Sequence, residues 1–383
     1  MMKGIIKRLC ILCCLIPLLS SCWDEEEPNR LRYIYAIGID YKDDKYEIHA
    51  QIIDFINIAK TEQPNQDAIQ VEVGKAKGDT IEEAFFELYK SMDLKLFWGH
   101  MKYMVLSEEA LKDGRANVII NSFLRYREIR YQTWIYTTQD PVGEMMLLNP
   151  LFNNAMTRLK LADPMSSYQQ ESFIEPIDFR KLVIRLNEPS YEVNIPYVKI
   201  DEKWETEKEK DKLPKFEGVG VVTPDEFKGF ITGNQVNGLQ WMTKETKRGE
   251  ITIPHDDKFV SIIIDNLKVK VKPKVQGDVV KFEVKLNMNA LLSSFEGKIT
   301  EQEIRQFVKK QIKKEIEETY LEGLEKEVDI YRLSEYLYRS DLNNWKRIQK
   351  DGKVPLTEDS ISNITIEVNK VYTGRKAFKE TIK

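Results

Sequence analysis

The chain has 383 residues, 42% of them hydrophobic and 31% charged, with a formal net charge of −4 at pH 7. This length and apolar content are sufficient to fill two or three domain cores. Phosphate groups repel a negative protein, so the composition argues against nucleic acid and against an anionic membrane surface as binding partners.

The N-terminal segment contains all four cysteines of the chain and is typical of an export signal. Three basic residues and no acidic one precede the apolar run Leu9–Leu19. At eleven residues this run is much shorter than the roughly 20 that a permanent transmembrane helix needs. The small residues Ser20 and Ser21 then precede Cys22. We therefore expect residues 1–21 to be a signal peptide.

The string Leu19–Cys22 resembles a bacterial lipobox. This resemblance implies cleavage by a signal peptidase between Ser21 and Cys22. It also implies lipidation of Cys22, as S-diacylglycerol on the thiol with N-acylation as a further modification. One acyl chain holds a protein only marginally, whereas two give stable attachment. Residues 22–30 would then form a lipidated tether.

Two other interpretations of this segment are a secretory signal with an incidental cysteine and an uncleaved signal helix. The sequence favours the lipobox over both. The Cys10–Cys13 spacing is that of some redox and zinc motifs, but it lies in an apolar run without a partner Cys or His pair. Removing residues 1–21 takes away three basic groups and no acidic one, which changes the formal net charge from −4 to −7. Only Cys22 remains, so an intramolecular disulfide is excluded.

Residues 31–200 are expected to form an N-terminal α+β region, either as one unit or as two packed subdomains. Alternating apolar residues around Lys42–Asp44 predict a β-hairpin of Leu31–Asp40 and Lys45–Ile53. Asp79 is expected to cap a helix that begins near Ile81. Further strands and helices are predicted along this region: strands Ala68–Lys75, Lys102–Leu106, Thr133–Thr138 and Tyr191–Val198, and helices from Ser107, near Ala116–Leu124, at Val142–Leu148 and around Phe152–Leu161.

Pro196 suggests that the strand Tyr191–Val198 lies at a sheet edge, because proline cannot donate a ladder hydrogen bond. Residues 201–214 are rich in charge and predict a solvated loop or the tip of a long hairpin. Residues 215–256 predict a β-rich middle region that packs with the N-terminal part. Its strands are Phe216–Val222 and Phe227–Thr232, continued by Trp241 and Ile251–Ile253.

Residues 257–375 are expected to form a C-terminal α+β domain. Two long alternating strands, Val260–Val271 and Val279–Leu291, precede the capping box Thr300–Glu303. A long helix, a second helical stretch from Val328 to Trp345 and a strand Ile361–Tyr372 follow. This ββααβ order suits an antiparallel sheet with helices on one face. The whole chain is assigned to the α+β (mixed α/β) class, multi-domain, with mainly antiparallel or mixed sheets covered by helices.

The sequence offers no catalytic or metal-binding motif. The three histidines, His49, His100 and His255, are scattered and form neither HxxxH nor HxH. His49 falls on the polar side of its strand and is expected at the surface, while His100 is expected to satisfy a backbone group beside Gly99. Gly218–Gly220 lacks the third glycine and the helix of a phosphate-binding loop, and predicts close strand packing. We expect no enzyme activity, no cofactor and no metal.

Several strings along the mature chain resemble the Ger(x)C family, the lipoprotein C subunits of bacterial spore germinant receptors. They follow the lipobox in the family's order: Trp23-Asp24, Ala36–Asp40, Phe97–His100 with Glu108 and Arg125, Phe216–Gly220, Phe227–Phe230, Gly238–Trp241, Asp341 with Trp345, and Tyr372–Gly374. The segment Glu25–Arg30 departs from the family pattern, because it is more acidic where members often have an apolar residue.

This resemblance implies a non-enzymatic subunit that supports receptor assembly and nutrient-triggered germination. The implied partners are a polytopic A-type subunit and a transporter-like B-type subunit, with no nucleic acid. The implied location is the outer face of the cell membrane, which becomes the inner membrane of the dormant spore. The resemblance does not specify the germinant or say whether this subunit binds it. The alternative is a solute-binding lipoprotein of a membrane transporter, which should have two lobes of repeating βα units.

Overall fold

The computed structural model describes residues 30–53, 71–125, 129–207, 210–255, 257–295 and 299–372. Cys22 and its lipobox, residues 23–29 of the tether, residues 68–70 and residues 373–374 lie outside the described residues. The described chain forms two sheets with helices packed on them, which confirms the predicted α+β class. We call residues 30–232 the first half and residues 233–372 the second half.

The first half is built on a nine-stranded mixed sheet with the order β3-β2-β1-β5-β6-β7-β8-β9, and β4 also pairs with β1. Its central pairs, β1–β5, β5–β6 and β6–β7, are parallel, and the outer pairs are antiparallel. The strands are β1 Leu31–Lys42, β2 Lys45–Ile53, β3 Val71–Gly78, β4 Lys95–Phe97, β5 Tyr103–Ser107, β6 Trp134–Thr138, β7 Val193–Glu205, β8 Lys210–Val222 and β9 Phe227–Thr232.

The predicted first hairpin is confirmed. Lys42 pairs with Lys45, and the two turn residues Asp43 and Asp44 have φ values of 56° and 59°. Positive φ at both central residues is the type I′ turn that matches the twist of a hairpin. The turn fixes the register of β1 against β2, and with it the faces of both strands.

Helices cover both faces of this sheet. They are α1 Ile81–Tyr89, α2 Glu108–Leu111, α3 Arg115–Arg125, α4 Val142–Met146, α5 Pro164–Tyr168 and α6 Phe179–Asn187. Apolar residues of α1, α2, α3 and α6 share one core with Ile34, Ile37 and Ile39 of β1. Apolar residues of α4 lie in the other core, with Tyr35 of β1. The sheet is therefore buried on both sides near β1.

Two helix predictions in the first half need correction. The residue that caps α1 is Thr80 rather than Asp79, because the Thr80 side chain accepts a hydrogen bond from the backbone N–H of Glu83. Around Phe152–Leu161 the chain forms only the 3₁₀ turns Leu151–Asn153 and Met156–Arg158. Phe152 has a left-handed φ of 59°, which interrupts any longer helix.

The second half is built on the sheet β10-β11-β12-β13. The strands β10 Arg248–His255, β11 Lys258–Gln276 and β12 Val279–Ser294 are antiparallel neighbours. β13 Ile361–Tyr372 pairs with β12 in parallel, so the expected antiparallel sheet is in fact mixed. The reason is the crossover between β12 and β13, whose helices are α7 Glu301–Glu325, α8 Leu333–Ser340 and α9 Leu342–Ile348.

The start of α7 and its buried stripe are confirmed. Thr300 and Glu303 form the predicted capping box, with reciprocal hydrogen bonds between side chain and backbone. The predicted helix over 328–345 is instead two helices, because Asp341 has a φ of −150° and its side chain caps α9. Ile304, Val308, Ile312 and Ile316 of α7 are buried and belong to the core that also contains Tyr35 and α4. One core therefore runs continuously from the first half into the second.

The structure shows the second of the two forms predicted for the charged segment, the tip of a long hairpin, and differs from the prediction for the middle region in two respects. β7 and β8 extend through the charged segment and make it the end of a long hairpin. β7 is an interior strand, and Pro196 fits there because the β6–β7 ladder is a single pair, Thr137 with Tyr197. β8 and β9 join the first sheet, but β10 pairs with β11, so the expected boundary at residue 256 separates two strands of one sheet.

Trp241 was expected in a strand and instead ends the 3₁₀ helix Gly233–Trp241, which packs against α7. Its indole Nε1 donates to Glu315 Oε2 over 2.6 Å, and Gly238 N donates to Thr319 Oγ1 over 2.9 Å. A Cβ on Gly238 would lie 2.5 Å from the carbonyl oxygen of Glu315, so only glycine permits this approach. Throughout the described ranges, no helix is both long enough and apolar enough to cross a bilayer.

Candidate functional site

The two halves meet at a buried cluster of polar side chains, which we call the polar junction. The loop before β7 contributes Ser190 and Glu192 from the first half. The second half contributes residues around the start of α8 and after α9. The members are Ser190, Glu192, Asp329, Arg332, Ser334 and Lys353, and the first five are buried.

Asp329 organises the second-half side of the polar junction. Its carboxylate accepts hydrogen bonds from the backbone N–H groups of Leu333 and Ser334, both over 2.7 Å, and so caps the first turn of α8. Its own N–H donates to Glu192 Oε2 over 2.6 Å. The Ser190 hydroxyl lies 3.3 Å from a carboxylate oxygen of Glu192 and of Asp329. Asp329 therefore stabilises a helix of one half and contacts the other.

Arg332 attaches the second half to backbone carbonyls of the first. Its guanidinium donates to the carbonyl oxygens of Arg185 at 3.2 Å, of Pro189 at 3.3 Å and of Glu192. Arg332 itself has a left-handed φ of 53°. A non-glycine residue takes this conformation only when the surroundings hold it there, and these hydrogen bonds provide that restraint.

Electrostatics make Glu192 unusual. Burial raises the pKa of its carboxyl to about 7, and the neighbouring charge of Asp329 adds to the increase, while Lys353 opposes it. Lys353 Nζ forms an ion pair with Glu192. Burial also raises the pKa of Asp329, although backbone N–H groups at Ser334 and Leu333 favour its charged form. Two carboxyl groups therefore share one buried site with a single lysine and one arginine beside them.

Beside the polar junction lies a cleft with a volume of about 350 Å³. Its walls come from α6, β7 and β8 of the first half, and from the residues after Gly238 and α8 of the second. Five cationic side chains line it: Lys181, Arg185, Lys244, Arg332 and Arg339. Three carboxylates also line it: Glu175, Glu245 and Glu335.

Glu175 shows how charge is balanced inside the cleft. Burial raises the pKa of this carboxyl, but the charges of Arg185 and Lys181 outweigh burial and hold it below its usual value. Lys181 Nζ forms an ion pair with Glu175, and Arg185 lies 3.5 Å away. Glu175 is therefore an anion at neutral pH, and the net charge of the cleft lining is positive.

The residues singled out from sequence are not brought together. Cys22 lies outside the described residues. His49 is buried rather than at the surface, because α4 covers its face of the sheet, and a Cβ on Gly143 of α4 would lie 3.2 Å from the His49 ring. His100 packs against the rings of Tyr33 and Phe97, and His255 lies in β10. Among the described residues no His, Cys, Asp and Glu side chains form a group able to hold a metal ion.

Gly218–Gly220 lies in β8, as predicted. A Cβ on Gly218 would lie 2.1 Å from the carbonyl oxygen of Ile231 in β9, so the glycine permits close strand packing. No sequence pattern indicates the polar junction, because Glu192 and Asp329 are single acidic residues far apart in the chain. Asp329 could have been found as a capping residue had the start of α8 been placed at Leu333 rather than at Val328.

Comparison with known proteins identifies the family. Residues 24–200 match the model described as the spore germination protein N-terminal domain, and residues 217–373 match the model described as spore germination B3/GerAC like, C-terminal. The chain belongs to the GerAC-like family of spore germination proteins. The interval between the two matches lies in the β7–β8 hairpin, so the sheet of the first half continues across both family regions.

Relatives in this GerAC-like family support the assignment along most of the chain. Spore germination protein KC of Bacillus subtilis (strain 168) is 21% identical over 89% of this chain and 90% of its own. Spore germination protein A3 of the same organism is 24% identical over 75% and 74%, and protein B3 is 21% identical over 72% and 71%. The crystal structure of the GerBC protein shares the fold, with a TM-score of 0.53 and 13% identity, over 88% of this chain and 97% of that one.

Proposed function

We propose that this protein is the lipid-anchored, non-enzymatic C subunit of a spore germinant receptor and supports receptor assembly and nutrient-triggered germination. The observation that carries the proposal is the match of both family regions, in order, over residues 24–200 and 217–373. The relatives are named as spore germination proteins, and the described residues contain no group arranged to hold a metal ion.

The proposed partners are a polytopic A-type subunit and a transporter-like B-type subunit in the inner membrane of the dormant spore. The chain would reach them from the outer face of the membrane, held by lipid on Cys22. Its two halves share one continuous hydrophobic core and would be joined to the membrane by the tether, which suits a subunit that holds larger membrane partners together.

Co-purification from spore membranes tests the receptor role. A tagged copy of this chain, isolated from detergent-solubilised spore membrane, should bring both partner subunits with it, as identified by mass spectrometry. Recovery of this chain alone, together with tight binding of a free solute, would instead support the solute-binding lipoprotein.

Lipidation is tested by comparing Cys22→Ala with Cys14→Ala, a matched change inside the expected signal peptide. We expect the N-terminal peptide of the wild type and of Cys14→Ala to begin at Cys22 and to carry the mass of a diacylglyceryl group. Cys22→Ala should lack that modified peptide and leave the membrane fraction. An unmodified N-terminus on membrane-bound wild-type protein would contradict the anchor.

A further inference from the structure

The cleft between the halves has the dimensions of a small-molecule site. Its volume of about 350 Å³ lies within the roughly 300–1,000 Å³ of typical ligand pockets. Residues of both halves line it, so the site is complete only when the halves are docked. Nothing in the proposed receptor role requires such a cavity.

The charge of the cleft favours an anion. Its five cationic residues outnumber its three carboxylates. Arg185 has most of its hydrogen-bonding capacity left, because a guanidinium has five N–H donors and, among the described residues, its side chain makes a single 3.5 Å contact with Glu175. A planar carboxylate is the ligand group that best matches such a fork of donors.

Tyr336 offers a second donor to the same cavity. It lines the cleft from α8, and its hydroxyl forms no hydrogen bond with any residue that the structure describes. Burial raises the pKa of Tyr336, so the hydroxyl keeps its proton at neutral pH. The cleft is therefore lined by two donors from opposite halves, the hydroxyl of Tyr336 and the guanidinium of Arg185. Leu239 and Met242 provide an apolar wall.

We propose that the cleft binds a small organic carboxylate, with the carboxylate group held by Arg185 and Tyr336 and the apolar part against Leu239 and Met242. This site goes beyond the proposed receptor role. It would also make binding and docking of the halves mutually dependent, because each half supplies one of the two donors.

Isothermal titration calorimetry on the full-length chain in detergent tests the site with four probes of similar shape. Isovalerate carries the carboxylate, and L-valine adds an ammonium group to the same skeleton. Isovaleramide replaces the carboxylate by a neutral amide, and isobutylamine lacks it. We expect at least one of the two carboxylates to bind and the amide and amine to give no measurable heat.

Two variants and two matched controls locate the site. Arg185→Gln should weaken carboxylate binding about tenfold or more, and Tyr336→Phe about threefold to tenfold, because each removes one donor to the ligand. Arg180→Gln lies on the same helix as Arg185, and Tyr338→Phe on the same helix as Tyr336. Neither control residue lines the cleft, so both controls should bind like the wild type.

The site is rejected if neither carboxylate binds, if the amide binds as well as the acid, or if the controls weaken binding as much as the cleft variants. Circular dichroism of each variant checks folding, and the conservative Tyr336→Phe carries the test if Arg185→Gln is unstable. Probe binding is measured on the chain alone and partner recovery on spore membranes, so either proposal can fail without the other.

Discussion

Two buried clusters of polar side chains, the polar junction and the polar residues of β2, shift the pKa of a glutamate in opposite directions. In β2, Glu47 is buried beside His49, and Lys75 Nζ lies 2.7 Å from Glu47 Oε1. Burial raises the pKa of Glu47, but hydrogen bonds from Lys75 and His49 outweigh it and hold the pKa below its usual value. At the junction, burial and Asp329 raise the pKa of Glu192 to about 7.

The difference lies in which neighbours surround each carboxylate. Glu47 has Lys75, Lys77 and His49 around it, and the hydrogen bonds and charges of Lys75 and His49 lower its pKa. Glu192 has Asp329 beside it and one lysine. Burial removes both carboxylates from water and so disfavours their charged forms. Only in the β2 cluster do the neighbouring positive charges and hydrogen bonds outweigh this effect. The surroundings of Glu47 in the first half therefore stabilise a charged carboxylate. At the contact between the halves, Glu192 has a pKa near neutral pH and is partly protonated there.

Removing Asp329 is the strongest test of this comparison. Asp329→Ala leaves two buried N–H groups of α8 without an acceptor and Arg332 with one fewer neighbouring anion. We expect the free energy of unfolding to fall by about 3 kcal/mol. Asp341→Ala removes the more exposed cap of α9 and should lower the free energy of unfolding clearly less. Urea unfolding followed by circular dichroism measures both, and equal costs would show that the junction is an ordinary helix cap.

The second test measures how the free energy of unfolding depends on pH because of Glu192. Its folded pKa of about 7 lies above the usual 4.5 of a glutamate side chain, so the folded protein binds the proton more tightly than the unfolded chain. The stability from this group is complete below pH 4.5 and is lost as the pH rises through 7. The loss amounts to roughly 3 kcal/mol, since one pKa unit corresponds to about 1.4 kcal/mol.

Glu192→Gln should remove most of that slope, because the amide cannot ionise and still accepts the hydrogen bond from Asp329 N. Unfolding midpoints at pH 5, 6, 7 and 8 compare the variant with the wild type. Glu47→Gln is the matched control and should keep the wild-type decline between pH 6.5 and 8, because His49, whose pKa depends on Glu47, loses its proton below that range. A wild-type protein whose stability does not decline over this range, relative to Glu192→Gln, would contradict the raised pKa.

His49 should show the opposite sign and a smaller effect. Burial lowers the pKa of its ring below 6.5, and Glu47 only partly offsets this. The folded protein therefore binds this proton less tightly, and stability from the neutral ring is lost as the pH falls below 6.5. His49→Gln should make the first half less sensitive to acid between pH 6.5 and 5. Thermal unfolding across that range measures it, and greater acid sensitivity in the variant would rule out a neutral, buried ring.

The second half was the more predictable from sequence. Its strands alternate over long stretches, and Thr300 and Glu303 mark the helix start, so β11, β12, α7 and β13 follow from local patterns. The family could also be identified from its ordered strings. These features depend on residues that are close in the sequence.

The first half and the site depend on contacts between distant residues. The burial of His49 follows from α4, about ninety residues further on, which covers a face that alternation alone marks as polar. The parallel pairing of β12 with β13 is set by the crossover that joins them. Glu192 and Asp329 come into contact only when the two halves are packed together, and no local sequence pattern predicts that contact.

The β7–β8 hairpin has a consequence for how such proteins can diverge. The two family regions meet within it, yet its strands pair from Val193–Val222 to Glu205–Lys210. A slip of one residue would turn every side chain of a strand to the opposite face. If relatives exchanged gene segments at this boundary, β7 of one protein would have to pair with β8 of another, and the two strands would not be adapted to the same pairing register. The two regions should therefore be inherited together, and chimaeras should tolerate crossovers outside residues 193–222 better than within them.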